Sequence, residues 1–457
     1  MRRLHGEDAQ FIFQETHAQH QHTMKVVVID PEGARAPLDY ESFREGVRLS
    51  IPMAEPFRWR LVKVPLRLGH PWWVEDPDLD IDYHVRRVTA PAPGGKHELS
   101  EVISMIASIG LEHDRPLWQA WMVDGLEHGR LAYVMKVHHS LADGLSSAQL
   151  LLDMLTESPD EWPDPPPLES IPRDPIPSKK WLLADSLVQD ARTLGRLPRL
   201  MAKTARSGQA ALRQNRTAQP LARSFAVDKV RWNAELTPHR WFAHDTISLR
   251  EMKRVKNHFD VTVNDVFLAV VAGGARRYLL AHDELPADSL TASIPVSTRQ
   301  PDQTRDWGNR TAIWSIELAT TIDDPVERLQ AISAHTKAAR AAREERGPQL
   351  QHDYMEAWPI WTTVVNWLPR PMRRYTSKAS YSLIASSVPG PRQPLYANGA
   401  KVVQVISMGP LVMDLGLNVT GWSYCDDFTI GAVACREHVP DIWALMDSII
   451  ESFDELR

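Results

Sequence analysis

Leu131-Ala132-Tyr133-Val134-Met135-Lys136-Val137-His138-His139-Ser140-Leu141-Ala142-Asp143-Gly144 is the stretch that organises the chain. Residues 131–137 are almost wholly apolar, and Leu145, Ala148, Leu152 and Leu155 follow at helical spacing. The pattern predicts a strand, a tight polar turn and a helix. Alternation places Leu131, Tyr133, Met135 and Val137 on one face and Ala132, Val134 and Lys136 on the other. Both faces are mostly apolar, so the strand belongs inside a sheet. Two imidazoles and a carboxylate gathered at its buried end are costly unless they have work to do. His138 and His139 face opposite ways if strand geometry persists, so they do not attack the same substrate atom. One is chemical and the other structural, or both are structural. His139 and Asp143 fit a general base with a carboxylate holding the loop, and Gly144 lets the chain turn sharply. A metal pair is the second reading, and a polar loop with chance histidines the third. The third is weakened by the company of two His, an Asp and a Gly at one switch point.

Four other stretches stand out, in chain order: Arg115-Pro116-Leu117-Trp118; Val263-Asn264-Asp265-Val266-Phe267-Leu268-Ala269; Ser387-Val388-Pro389-Gly390-Pro391 with Pro394-Leu395-Tyr396; and Gly416-Leu417-Asn418-Val419-Thr420 with Ser423-Tyr424. With His-His-Ser-Leu-Ala-Asp-Gly they resemble the HHxxxDG, PLW, NDVVLA, SNVPGPxxPLY and GLNIT…SY motifs of the bacterial wax ester synthase/diacylglycerol acyltransferase family. That family belongs to the CoA-dependent acyltransferases carrying HxxxD. The resemblance spans almost the whole chain. It implies an α+β fold of two chloramphenicol-acetyltransferase-like lobes with mixed sheets and an active-site tunnel between them. CoA and the acceptor would enter that tunnel from opposite sides. Two departures bear on acceptor choice: Ser387 stands where the motif has Asn, and Gln21-His22-Thr23-Met24 replaces the usual Met-His-Val-Gly.

The rest of the chain fits two lobes. At 457 residues it exceeds one ordinary core, and 43% hydrophobic with 24% charged residues is a globular balance. A net charge of −6 gives no case for nucleic acid as a partner. The 16 tryptophans suit large apolar pockets or an interface. Cys425 and Cys435 lie in apolar strand-like sequence and are expected to fill core in a reducing compartment. No signal core or transmembrane run is present, so the expected place is cytoplasmic, with any membrane contact peripheral. Helices are predicted over residues 7–17, 39–49 and 96–109. Strands are predicted over 23–29, 57–64, 81–88, 118–123 and 131–137, the last two joined as a hairpin. The division is 1–156 for the first lobe, 157–224 for a Pro-rich linker and basic helical segment, and 225–457 for the second lobe.

Pro163, Pro165, Pro166, Pro167, Pro172, Pro175 and Pro177 make the linker. Residues 179–223 then carry ten cations and two acids, with Trp181, Leu182, Leu187, Val188, Leu194, Leu197, Leu200 and Met201 as an apolar face that Pro198 breaks or kinks. Packing against a lobe is the preferred reading. An amphipathic segment lying on an anionic lipid surface, at the inner membrane or on lipid bodies, is the other.

In the second lobe, Thr262 and Asp265 form a capping-box pattern before an all-round apolar, hence buried, helix. Asp265 therefore has a structural role. Asn264, in the first turn, either donates to a developing oxyanion or acts as a second cap; the resemblance favours the site role. Strands are predicted near 293–299, 311–318, 382–386, 402–406, 415–422 and 428–435, and helices over 325–345, 354–368 and around 442–453. Family analogy makes Arg299 the candidate partner of Asp143. Trp118 reads as a core aromatic. The resemblance nevertheless puts Pro116, Leu117, Trp118, Ser387, Pro389 and Gly390 along the substrate path.

The resulting expectation is O-acyl transfer from a long-chain acyl-CoA to a fatty alcohol or diacylglycerol. His139 is the general base, His138 and Asp143 stand beside it, and no acyl-enzyme forms. No GxSxG elbow is present. Acyl-CoA is a donor substrate, and neither a cofactor nor a metal is expected. The alternatives are a carrier-bound donor or a specialised hydroxyl acceptor on the same fold, and a non-catalytic protein that binds acyl-CoA or lipid.

Overall fold

Strand Leu131–His138 lies between antiparallel neighbours His22–Asp30 and Trp118–Asp124. This is seen in a computed structural model that describes residues 1–161, 166–167, 171, 174–214, 227–299, 307–346, 378–379 and 381–457. The alternation read from sequence is the packing observed. Met135 and Val137 join Val27 and Ile29 in one core, while Ala132 and Val134 join Val26 and Val28 in another. The sheet runs Tyr396–Ala397, Ala400–Met408, His22–Asp30, Leu131–His138, Trp118–Asp124, Val85–Thr89. Its last pair is parallel, so the sheet is mixed.

A second six-stranded sheet runs Thr311–Glu317, Thr291–Ser297, Leu383–Val388, Leu417–Tyr424, Asp427–Cys435, Arg240–Ser248. It too mixes parallel and antiparallel pairs, which gives the expected α+β fold. Helix Val263–Ala281 is buried along most of its length beneath it. Gly274 lets the final helix, Ile442–Asp454, approach closely: a Cβ there would stand 2.6 Å from the Ile449 Cα. Helix Lys96–Ala107 of the first half ties the halves together. Its Ser104 hydroxyl accepts from the Phe242 N–H at 2.8 Å, and Ser108, its C-cap, accepts from Arg240 N–H at 2.9 Å. An otherwise open edge of the second sheet is thereby covered.

Several expectations are corrected. Residues 81–88 are not one strand: Asp80 accepts from the N–H groups of Asp82 and Tyr83 and starts a short helix, Ile81–His84, before strand Val85–Thr89. Sheet membership does not follow the division at 157–224, because strand Ala400–Met408 returns to pair with His22–Asp30. Pro198 does not end the basic segment, which is one helix over Lys179–Gln214. The predicted helix over 354–368 lies outside the described residues, as do the rest of the basic segment and much of the linker. Cys425 and Cys435 are free thiols as expected, but only Cys435 is buried in the core; Cys425 is half-buried.

Burial pushes the pKa of His20, His84, His139 and His244 down to about 4. Unfolded histidine titrates near about 6.5. Between those values the unfolded chain binds more protons, so stability is lost as pH falls through that window. Asp8 acts the other way, since burial raises it to about 6 and the folded state gains protons there first. Four histidines outweigh one aspartate. The thermal midpoint is expected to fall by several degrees from pH 7 to pH 5; a flat or rising midpoint contradicts this balance.

Candidate active site

Asp143 sets the turn that carries His139. It is the N-cap of helix Gly144–Leu152, its Oδ1 accepting from Ser146 N–H at 2.9 Å. Its other oxygen accepts from the guanidinium of Arg299 and from Arg310 N–H at 3.0 Å. The ion pair is buried, with side chains 5% and 3% exposed for Arg299 and Asp143. Arg299 also donates to Ser146 Oγ at 2.7 Å and to the Gly308 carbonyl. Burial alone would raise the Asp143 pKa, but Arg299 and the N–H donors outweigh it and hold the carboxyl below its ordinary value. Gly144 contributes less than expected. Its backbone is not left-handed, and an added Cβ would meet only Val388, at 4.0 Å. The turn is made by the cap rather than by glycine's freedom.

His139 leaves the strand on the cavity side. Its ring stacks on Phe11, centroids 4.4 Å apart, and its backbone N–H donates to the Gln21 carbonyl at 2.7 Å. Nδ1 lies 2.9 Å from Asn309 Oδ1. The Asn309 amide cannot be turned round. Its Nδ2 donates to Asp8 Oδ1 at 2.8 Å and to the His139 carbonyl at 2.7 Å, and its backbone N–H donates to Asp8 at 2.6 Å. Both side-chain partners are acceptors, so Nδ2 must face them and Oδ1 must face the ring. Nδ1 therefore carries the proton, and Nε2 is left as a base. Burial lowers the His139 pKa to about 4, against the raising effect of Asp143, so the base form persists at neutral pH.

His138 faces the other way and is fully buried. Ser140 donates to its Nδ1 from both the backbone N–H, at 3.1 Å, and the hydroxyl, at 2.7 Å. Its Nε2 then carries the hydrogen when neutral and lies 3.5 Å from Glu15 Oε2, where His113 also meets that carboxylate. A hydrogen-bearing Nε2 is a donor rather than a ligand. His138, His139 and Asp143 do not converge on one centre, so the metal-pair reading of the turn is dropped.

The cavity in front of His139 has a volume of about 550 Å³ and draws its walls from both halves of the chain. Asn264, Thr23, Lys25, Ile294, Ser387 and Pro389 are among its lining. Thr262 and Asp265 make the capping box, at 3.1 and 2.9 Å, and Asp265 also accepts from Thr336 Oγ1 at 2.7 Å. Ser387 Oγ donates to Asn264 Oδ1 at 2.8 Å, so the Asn264 oxygen is engaged and its NH2 is the donor end.

Pro116, Leu117, Trp118 and Gly390 are not among the residues that line this cavity. Leu117 accepts from His138 N–H at 2.9 Å, and Trp118 is buried, stacked on His84 and bonded to the Phe57 carbonyl at 2.7 Å. They brace the strand end from behind. A Cβ on Gly390 would stand 2.0 Å from the Ser423 carbonyl, so only glycine fits there. Asn309, Asp8, Phe11 and Lys25 were missed as site residues. The one signal was Gly308 before Asn309: it takes φ +100°, and a Cβ there would meet Asp8 Oδ2 at 2.8 Å.

Comparison with known proteins identifies the family. The profile of the wax ester synthase/diacylglycerol acyltransferase catalytic domain matches residues 4–267, and that of the family's C-terminal domain matches 307–457. A Mycobacterium tuberculosis protein provisionally named diacylglycerol O-acyltransferase is 35% identical over 460 residues, covering 100% of this chain and 96% of its own. The solved wax ester synthase/diacylglycerol acyltransferase from Marinobacter aquaeolei superposes with a TM-score of 0.69 at 26% identity, covering 99% of this chain and 98% of its own. The first condensation domain of the calcium-dependent antibiotic synthetase shares the fold, with a TM-score of 0.60 at 15% identity over 100% of this chain and 96% of its own. Two domain profiles in their expected order, a full-length relative and a full-length structural match place the chain in the wax ester synthase/diacylglycerol acyltransferase family, and it is an acyltransferase.

Proposed function

We propose that the protein moves a long-chain acyl group from acyl-CoA to the hydroxyl of a fatty alcohol or a diacylglycerol. The observation that carries this reading is the clamped ring of His139, which lines the cavity with Nδ1 bonded to Asn309 and Nε2 therefore left as the base. The acceptor hydroxyl gives its proton to Nε2 as its oxygen forms a bond to the thioester carbonyl carbon. The Asn264 amide donates to the oxygen that becomes negative, a contribution worth about 10²–10³ in rate in comparable sites. The carbon–sulfur bond then breaks, and the CoA thiolate takes the proton back from Nε2. Asp143 stays an ion and holds the turn. The names borne by the relatives, diacylglycerol O-acyltransferase and wax ester synthase, favour these two acceptors. Purified protein given palmitoyl-CoA with hexadecanol or diacylglycerol is expected to release CoA only when an acceptor is present and to form the ester. Release of CoA without ester, or none with either acceptor, contradicts the reading.

A peripheral lipid contact belongs to the same reading. No helix among the described residues is long and apolar enough to cross a membrane. Helix Lys179–Gln214 turns Leu182 and Ser186 inward and leaves Leu187, Leu194 and Met201 at 62%, 53% and 71% exposure. Their seven-residue spacing makes one stripe. With the cations of the segment, the stripe suits an anionic lipid surface facing the cytoplasm. Leu187→Glu with Leu194→Glu is expected to weaken binding to phosphatidylserine vesicles at least ~10-fold; unchanged binding contradicts it.

A further inference from the structure

Lys25 is a feature of the cavity that acyl transfer to a neutral lipid leaves unused. It is 2% exposed and lines the cavity beside His139, on the strand His22–Asp30. Its ammonium donates to Ser407 Oγ at 2.8 Å and Thr23 Oγ1 at 3.3 Å, and lies 5.3 Å from the centre of the Trp422 ring. None of these groups bears a negative charge. Among the described residues no carboxylate lies within ion-pair distance of it. Asp143 and Asp265, which also line the cavity, are engaged by Arg299 and by the capping box with Thr336. An ammonium has three donors, and two are used here. A buried cation without a counter-charge is costly, and burial accordingly brings the Lys25 pKa down to about 7 against a raising effect of Asp143.

The register locates this group. Thr23 pairs with Val137 and Lys25 with Met135, on the cavity face of the sheet. The ammonium leans back to Thr23, two residues or about 6.8 Å nearer the His139 end of the strand. A cationic group therefore lines the same cavity as His139, towards the His139 end of the strand. Thr23 gives its hydroxyl hydrogen to the Met408 carbonyl at 2.7 Å and only accepts from Lys25, so the donors left for an anion are the third ammonium hydrogen and the Ser407 hydroxyl, a set that matches a monoanionic carboxylate. A phosphate dianion would leave its second charge buried without a partner. The acyl chain and thioester of the donor carry no charge, and the CoA phosphates lie a whole pantetheine arm from the reacting carbonyl, so an anion beside the reacting groups comes with the acceptor.

We propose that Lys25 and Ser407 bind a carboxylate on the acceptor, with Thr23 holding the ammonium in place, so that the preferred acceptor is a hydroxy acid. This rests on the acyl-transfer reading above. The test uses the full chain, palmitoyl-CoA and a pair of acceptors that differ in charge at one end: 3-hydroxyhexadecanoate and its methyl ester. Hexadecanol is the third arm. The acid is expected to exceed the ester in kcat/KM by at least ~10-fold, and Lys25→Met is expected to bring that ratio to about one or below. Because the readout is a ratio within one protein, a general loss of activity in the variant does not move it. An ester used as well as the acid by the wild type overturns the proposal, as does a ratio that Lys25→Met leaves in place. Acylation of hexadecanol but not of the acid overturns it alone. No CoA release with any of the three overturns the acyl-transfer reading and this proposal with it.

Discussion

His139→Ala is expected to lower acyl transfer by about 10²–10⁴-fold in kcat, the range that a positioned general base contributes, with a folded protein and little change in KM. The geometry gives the reason. Asn309 holds Nδ1 as a donor at 2.9 Å, so the whole basicity of the ring sits on Nε2. Burial keeps that nitrogen unprotonated down to about pH 4, so the wild-type rate should not fall as pH drops from 7 to about 5, while the protein remains folded. Asn309→Ala removes the clamp but leaves the imidazole. A smaller loss is expected, about 10-fold, together with a shift in the acid limb of the pH profile that a purely structural role would not cause. A His139→Ala protein that folds and turns over at the wild-type rate would contradict the assignment.

Arg299→Met is expected to destabilise the fold by about 3–5 kcal/mol, because it leaves Asp143 charged and buried without its guanidinium partner. The pair is 5% and 3% exposed, so little of its strength is screened by solvent. Arg299 also spans the halves of the chain, from Ser146 in the first to Gly308 ahead of the strand Thr311–Glu317. Asp143→Leu combined with Arg299→Met should be more stable than Arg299→Met alone, since no unpaired charge remains. Urea unfolding of the two proteins measures the difference. Equal midpoints for wild type and Arg299→Met would show that the pair carries no stability.

Much of this was legible because it is local. The strand from Leu131 and the helix from Gly144 follow from spacing alone, and so does the division of faces along the strand. The Asp143–Arg299 pair was reached only by analogy, since 156 residues separate its members. The tautomer of His139 was out of reach. It depends on Asn309, 170 residues away, and through it on Asp8, a further 301 residues from Asn309 along the chain. Nothing in the pattern around Asp8 distinguishes it from a surface acid on an amphipathic helix. Trp118 shows the opposite failure: a large apolar residue next to a motif is buried whether it touches substrate or braces the strand behind it. Strand Ala400–Met408 was recognisable as a strand, but alternation does not say which sheet it joins.

Direct transfer without an acyl-enzyme is tested most plainly in the first turnover. Protein and a stoichiometric amount of palmitoyl-CoA are mixed rapidly, with and without hexadecanol, and free thiol and protein-bound acyl groups are followed together. Transfer through Nε2 of His139 requires that thiol appear only when the alcohol is present, in step with the ester, and that no acyl group remain on the protein. A burst of thiol equal to the enzyme concentration without alcohol, accompanied by covalently acylated protein, would contradict it.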